Sequence, residues 1–258
     1  MNIKKKYKNH TVTLIHKEVT VSTNTDATNT AADTLIVADK QTGGKGRRGR
    51  TFVSNKGGVY MSLSVEANKP PSFLTTAAAV CAAEAVEDLG VSGVKIKWVN
   101  DLYFNDKKIC GILVGANTIE GKTEKAAVGV GLNLVKYTDF DDTLKQKAGY
   151  LFEKGDFETL RERFINSFLS RFYELYDSFD KEYIFKSYTK RDYLLGKEIT
   201  FIKDKKEQTG KAIGFDKDIN LLVKTKEKTF SLFTGEVSVG LLQSQDGTKT
   251  QEQNKAQM

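Results

Sequence analysis

The chain has 258 residues, 39% of them hydrophobic and 28% charged, which is the balance of a globular protein long enough for one large domain or a large and a small one. Its formal net charge of +7 suits a protein that handles anions, whether phosphates, nucleic acid or an acidic partner. No apolar run reaches the length of a membrane span, the opening "MNIKKKYKNH" has no apolar segment behind its lysines, and the two cysteines, Cys81 and Cys110, have no metal-ligand spacing, so export, membrane insertion and a thiolate metal centre are set aside.

The two cysteines then read as buried thiols of a cytoplasmic protein. Lys4, Lys5, Lys6 and Lys8 read as a mobile terminus, and His10 and His16, without a partnered Ser, Cys or metal-ligand pattern, as incidental. Short β-rich runs follow: "VTLIHKEV" (Val12–Val19), "TLIVAD" (Thr34–Asp39) and "GGVYMSLSV" (Gly57–Val65), each broken by turn-forming residues. The period then changes. "PSFLTTAAAVCAAEAVEDLG" predicts an alanine-rich helix with Ser72 or Thr75 as N-cap and Gly90 as its stop. "VKIKWV", "LYFNDKKICGILVG" and "KAAVGVGLNL" predict strands, with a tight hairpin turn at Asn105-Asp106.

Leu160, Phe164, Phe168, Phe172 and Leu175 recur at spacings of three and four, giving a second helix with one apolar face. From about Gly196 the pattern returns to strands: "KEITFI", "TGKAIGF", "NLLVKT", "TFSLF" and "GEVSVGL" predict a small barrel appended to a larger α+β domain. The domain reading is therefore 1–192, then 193–242, with 243–258 as a disordered tail because almost nothing in it is apolar.

Four segments carry chemistry. "STNT" (Ser22–Thr25) offers small uncharged hydrogen-bonding groups for a compact polar ligand, or an ordinary turn or helix N-cap. "QTGGKGRRGRTF" (Gln41–Phe52) sets four cations among four glycines, a loop suited to an anion or to nucleic acid, whose like charges without an apolar anchor predict mobility. "KWVND" with "KKICG" places Asp101 near Lys108 and Gly111 across an apolar hairpin; the acid could hold Mg²⁺ or a ribose and the amine could neutralise a carboxylate or phosphate, or the two form a plain ion pair. "GVGLN" (Gly129–Asn133) alternates glycine along an apolar strand, leaving a bare face for a ligand ring or for close packing. "GKT" at Gly121–Thr123 is not a phosphate loop, since Ala116 stands where the earlier glycine is needed.

Taken in order, these segments make the chain resemble the biotin protein ligases, from Ser22 to the closing "GEVSVG". The resemblance implies an α+β fold, a mixed sheet flanked by helices of the class II synthetase-like biotin–lipoate type, with a small C-terminal SH3-like β-barrel. It implies that Ser22, Thr23, Asn24 and Gln41 meet the biotin head, that Gly43, Gly44, Gly111, Gly129 and Gly131 make room for it, and that Lys45, in the closing loop, also binds biotin. Lys108, Arg47 and Arg50 would act on the reacting carboxylate and phosphate. Phe52, Asn100, Asp101 and Asn133 would complete the ATP side, with Asp101 holding Mg²⁺. Three positions depart from the family's common pattern: Lys45 for arginine, Val99 for the proline of "KWPND", and Phe52 for tryptophan.

The implied reaction joins biotin to ATP as biotinyl-AMP and then to a lysine of a biotin carboxyl carrier domain in a carboxylase. Only about twenty residues precede Ser22, too few for a DNA-binding winged helix, so neither DNA nor a membrane is an expected partner; a homodimer stays open. Two other readings remain: a lipoate or octanoate ligase or transferase of the same fold, and a basic nucleic-acid-binding protein.

Overall fold

Runs of apolar and small residues, buried on both faces in the centre, build one eight-stranded sheet between residues 2 and 133. The computed structural model describes residues 2–119, 122–137, 140–203, 206–233 and 237–239. The predicted tail 243–258, Gly121 of "GKT", and Gly235, Glu236 and Gly240 of "GEVSVG" lie outside the described residues. The strands are β1 (Asn2–Tyr7), β2 (His10–Thr20), β3 (Thr34–Gln41), β4 (Gly58–Glu66), β5 (Lys95–Lys97), β6 (Asp101–Phe104), β7 (Lys107–Ile119) and β8 (Lys122–Asn133). Their spatial order is β1-β2-β3-β4-β8-β7-β6-β5. β2 and β3 run parallel, while β3–β4, β4–β8 and β7–β8 are antiparallel, so the sheet is mixed. The β6–β7 turn is at Asn105-Asp106 as expected, both with positive φ (49° and 59°) as a tight hairpin requires.

Among the described residues, five α-helices accompany it: α1 (Thr23–Thr28), α2 (Pro71–Asp88), α3 (Asp142–Lys145), α4 (Phe157–Ser178) and α5 (Lys181–Lys190). α2 is buried almost all round, from Leu74 to Val86, because it lies between the sheet and the pair α4 and α5. Its alanines let both neighbours approach. The expected cap at Ser72 or Thr75 is not where the helix starts: Pro71 takes the first position, where a missing N–H costs nothing, and both hydroxyls fall inside the first turns. α4 stacks Phe164, Phe168 and Phe172 at ring separations of 6.3 and 5.7 Å, and all three are buried. Glu84 of α2 is also buried, and it accepts hydrogen bonds from Ser187 (2.6 Å), Tyr183 (2.9 Å) and Arg171 (3.2 Å), tying α2 to α4 and α5.

The lysine-rich start is a strand and not a mobile terminus. β1 pairs with β2 from Asn2 to Tyr7, Lys5 and Lys8 reach Glu162 and Glu174 of α4 at 2.9 and 3.6 Å, and Tyr7 donates to Asn166 at 2.7 Å. Distant acids, invisible in the local sequence, balance the charge run. His10 is not incidental either. Its Nδ1 lies 3.1 Å from Asp33 and its Nε2 2.9 Å from Asp177, with the ring stacked 4.2 Å from Tyr173. Burial alone would lower its pKa, but the hydrogen bonds to Asp177 and Asp33 outweigh that, and the net shift is upward from 6.5. A raised histidine stabilises below its unfolded value and loses that contribution as pH rises through the folded one. Amide exchange in β1 and β2, corrected for intrinsic rates, is therefore expected to be slower at pH 6 than at pH 8.5, and His10→Asn should remove the difference.

A second, antiparallel sheet follows: β9 (Glu198–Lys203), β10 (Lys206–Phe215), β11 (Leu221–Lys224), β12 (Thr229–Leu232) and β13 (Val237–Val239), in the order β12-β11-β10-β9-β13. All five predicted late strands are present, as in an SH3-like domain. Residues 191–193 join the two sheets by pairing with β5: Ile96 N donates to Arg191 O at 2.7 Å and Tyr193 N to Ile96 O at 3.0 Å.

Candidate active site

A cavity of about 850 Å³ opens over β7 and β8, between the loop that precedes β4, the β5–β6 segment and β13. Its floor is the β7–β8 pair, where Leu113 is opposite Gly129 and Gly111 is opposite Gly131. Ser22, the N-cap of α1, and Thr23 stand at one end. Thr23 donates its backbone N–H (2.8 Å) and hydroxyl (3.1 Å) to Gln41 Oε1, while Gln41 Nε2 donates to Ser54 Oγ at 2.9 Å. Thr23 Oγ1 also lies 2.9 Å from Ser62 Oγ. This corner is polar, uncharged and already ordered. Ser54 and Ser62 were not singled out from the sequence, because their partners are 13 and 39 residues away.

The glycine row is occupied by the protein's own side chains. Asn24 donates Nδ2 to Leu113 O (3.1 Å) and Ala127 O (3.2 Å), pinning α1 to the floor, and a Cβ at Gly129 would come within 2.9 Å of that amide. The Phe52 ring lies over Gly131 and Gly111, 2.8 and 3.1 Å from where their Cβ atoms would be. The face read as bare for a ligand is thus where Asn24 and Phe52 settle.

Beyond Phe52 the cavity turns cationic. Lys45, Arg47, Arg50, Lys97, Lys108 and Lys147 line it, against Asp101 and Asp106. Lys108 Nζ lies 2.7 Å from Asp101 Oδ1, an ion pair without the alignment of a hydrogen bond, since that buried oxygen has no aligned donor among the described residues. Lys108 also sits over the Phe52 ring at 5.9 Å. Arg47 donates Nη1 to Asn100 Oδ1 at 3.0 Å, and Asn100 donates Nδ2 to Ile112 O at 2.8 Å. The Trp98–Val99 peptide, where the family's common pattern has proline, is cis, and Asp101 keeps its place opposite Gly111. Burial lowers the pKa of Lys97, with Lys108, Lys197 and Arg50 adding to the effect against the opposing charge of Asp101. Burial also pushes Tyr103 up to about 12.

The basic loop is a short hairpin. Phe52 N donates to Gly44 O at 2.9 Å, Gly46 N to Arg50 O at 2.7 Å, and Lys45 bridges Thr51. The expectation of a loop without an apolar anchor is corrected here: Phe52, edge-on to Tyr60 at 6.3 Å, is that anchor. Gly43 and Gly44 do not line the cavity; they form the base of the hairpin, against Val21 and against Gln41 and Ser54. Asn133 does not line it either. Its amide donates to Gly149 O at 3.0 Å, and Gly149 N in turn donates to Lys108 O at 2.9 Å, so Asn133 reaches β7 at Lys108 through the 147–149 segment. Tyr103, Tyr193 and Val237–Val239 line the cavity but were not foreseen. The last come from the second sheet, a contribution that no local spacing could announce.

The fold and this two-ended cavity define an α+β domain with a small appended sheet and a site for a ligand with one neutral polar end and one anionic end. A biotin protein ligase from Aquifex aeolicus, solved in complex with biotin and ATP, superposes with a TM-score of 0.76 at 26% identity, over 88% of this chain and 98% of that one. The sequence is 31% identical over 245 residues to the bifunctional ligase/repressor BirA of Bacillus subtilis, covering 88% of this chain and 74% of that protein. It is 29% identical over 210 residues to BirA of Escherichia coli, covering 79% and 65%. A model of the biotin/lipoate A/B protein ligase family matches residues 12–133. The chain belongs to that family, and within it stands with the biotin protein ligases. The lipoate and nucleic-acid readings give way to it.

Proposed function

We propose that the protein activates biotin with ATP and transfers it to a lysine of a biotin carboxyl carrier domain. The observation that carries this reading is the cavity's division: an uncharged, hydrogen-bonding corner at Thr23, Gln41 and Ser62, with Ser54 holding Gln41 from behind, and a cationic end at Lys108, Arg47 and Arg50, joined by the glycine floor. A neutral ureido ring fits the first and two meeting anions need the second.

A biotin carboxylate oxygen attacks the α-phosphorus of ATP, the bond to the bridging oxygen breaks, and pyrophosphate leaves. The carrier lysine's neutral amine then attacks the biotinyl carbonyl, the anhydride C–O bond breaks, AMP leaves and the amine sheds a proton. Lys108 offsets the charge of the approaching carboxylate and phosphate, which would otherwise repel. Arg47 and Arg50 bind phosphate oxygens, and the Phe52 hairpin keeps water from the anhydride. Asp101, a carboxylate among the cations of this end, is the residue that would hold Mg²⁺ together with phosphate oxygens, in exchange for its ion pair with Lys108. Mg²⁺ would supply further charge neutralisation there. The catalytic unit is assigned to 1–192 and the small domain to 193–242, and the reaction to the cytoplasm, where the free thiols Cys81 and Cys110 stay reduced.

Pyrophosphate exchange into ATP tests the reading directly. Exchange is expected with biotin and not with lipoate, octanoate or no acid. Equal or better exchange with lipoate would overturn it.

A further inference from the structure

One hydrogen bond joins the second sheet to the segment that runs into the cavity. Trp98, 5% exposed, donates its indole Nε1–H to Ile219 O at 2.9 Å. That carbonyl is held in an unusual place, since Ile219 has φ 61°, a conformation that a β-branched residue adopts only when its surroundings impose it. Asp216 imposes it. Its Oδ1 accepts from Asp218 N and Asn220 N, both at 3.0 Å, and its Oδ2 accepts from Asn220 Nδ2 at 2.9 Å and Ser231 Oγ at 3.1 Å. Its own N–H donates to Asn220 O at 3.0 Å and its carbonyl accepts from Ile219 N at 3.0 Å, which closes the turn.

On the cavity side, Val99 O accepts from the buried Tyr188 hydroxyl at 3.1 Å, so the chain is gripped before it reaches Asn100. Asn100 then holds Arg47 at 3.0 Å and the backbone of β7 at 2.8 Å, and Asp101 meets Lys108.

We propose that Asp216 is a positioning residue for the nucleotide half of the reaction: the turn it organises sets Trp98, and through Trp98 the Asn100–Arg47 pair at the phosphate end of the cavity. This rests on the biotin ligase reading given above. Without the carboxylate the turn loses four acceptor contacts, the strained Ile219 can relax, and its carbonyl leaves the indole. Trp98 then has no fixed acceptor, and the segment carrying Asn100 loosens against Arg47. The biotin corner is built from Thr23, Gln41, Ser54 and Ser62, and among the described residues none of these hydrogen-bonds to this route, so the effect falls on one substrate. Trp98 is also the single tryptophan of the chain, so its emission reports the link without any turnover.

The experiment compares Asp216→Ala, Asp216→Asn and Trp98→Phe with the wild type, using intrinsic fluorescence and pyrophosphate exchange. Asp216→Ala is expected to shift tryptophan emission to the red and to raise the KM for ATP roughly three- to tenfold, the scale of one or two lost hydrogen bonds, with the KM for biotin within about twofold. Asp216→Asn, which keeps an acceptor oxygen, should recover most of both. Trp98→Phe keeps an aromatic ring without the N–H and should raise the ATP KM in the same direction; it decides the matter if circular dichroism shows that Asp216→Ala is unfolded. A folded Asp216→Ala protein with wild-type emission and ATP KM overturns the proposal, as does an equal rise for both substrates or an unchanged ATP KM in Trp98→Phe. Absence of biotin-dependent exchange in the wild type would instead strike the functional reading, and the emission shift would still decide the link.

Discussion

Lys108→Ala is expected to leave the fold intact and to slow biotin-dependent exchange by ~10²–10³, the cost of losing one preorganised charge donor at a transition state. Lys108 sits at the end of the glycine floor, 2.7 Å from Asp101 and about a third exposed, so its removal opens no core cavity. It does leave the Asp101 carboxylate without its ion pair at the place where two anions must meet. The loss should appear in kcat with little change in biotin affinity, since the hydrogen-bonded corner lies at the other end of the cavity. Lys108→Arg tests the same point, because a planar fork cannot replace a compact ammonium at one position. Near-normal exchange in Lys108→Ala would show that the lysine only braces the hairpin.

Gly44→Ala is expected to damage activity nearly as much, for a steric reason. A Cβ at Gly44 would lie 2.4 Å from Phe52 O, 2.9 Å from Ser54 Oγ and 3.1 Å from Gln41 Nε2. The first of these is backbone and cannot rotate away, so the base of the hairpin must open, at about 1–3 kcal/mol or roughly a ten- to hundredfold loss of the closed form. The same shift pulls Ser54 from Gln41 and unsettles the biotin corner. Gly46→Ala is the control, since its Cβ would stop 3.3 Å from Arg50 O and a small adjustment accommodates it. Equal exchange rates in the two variants would refute the steric account. A large fall in melting temperature for Gly44→Ala alone would mean that the residue matters to the whole fold and not to the loop.

Local pattern revealed what local physics decides. The helix at α2, the Asn105-Asp106 turn and the five late strands were legible because period, stop residues and turn chemistry act over a few positions. β1 was not, because a lysine-rich run shows no apolar period and what holds it, the pairing with β2 and the contacts of Lys5 and Tyr7 with Glu162 and Asn166 of α4, includes partners far away in sequence. The candidate site shows the same division. Ser22, Thr23, Gln41, Arg47, Asp101 and Lys108 line one cavity as expected, since each sits in a segment of unusual composition. Ser62, Tyr193 and, behind Gln41, Ser54 are ordinary residues made special by position, and Val237–Val239 arrive from another sheet. Asn24 and Phe52 were seen as ligand contacts before their own packing against glycine could be seen.

The two ends of the long sheet remain to be considered as surfaces that other chains could meet. An open strand edge offers unpaired N–H and C=O groups to any extended polypeptide, and long sheets are exposed to edge-to-edge aggregation. Here the two edges are guarded by different means. β5 is covered by residues 191–193, whose backbone bonds to Ile96 occupy groups that a foreign strand would need. β1 is outermost on the other side, with Lys4 and Lys6 exposed along it and Lys8 exposed in the turn that follows, so a second copy brought edge to edge would set lysine against lysine. Neutralising these lysines is therefore expected to cost solubility at high concentration before it costs catalysis, which sedimentation of the variant at increasing concentration would check.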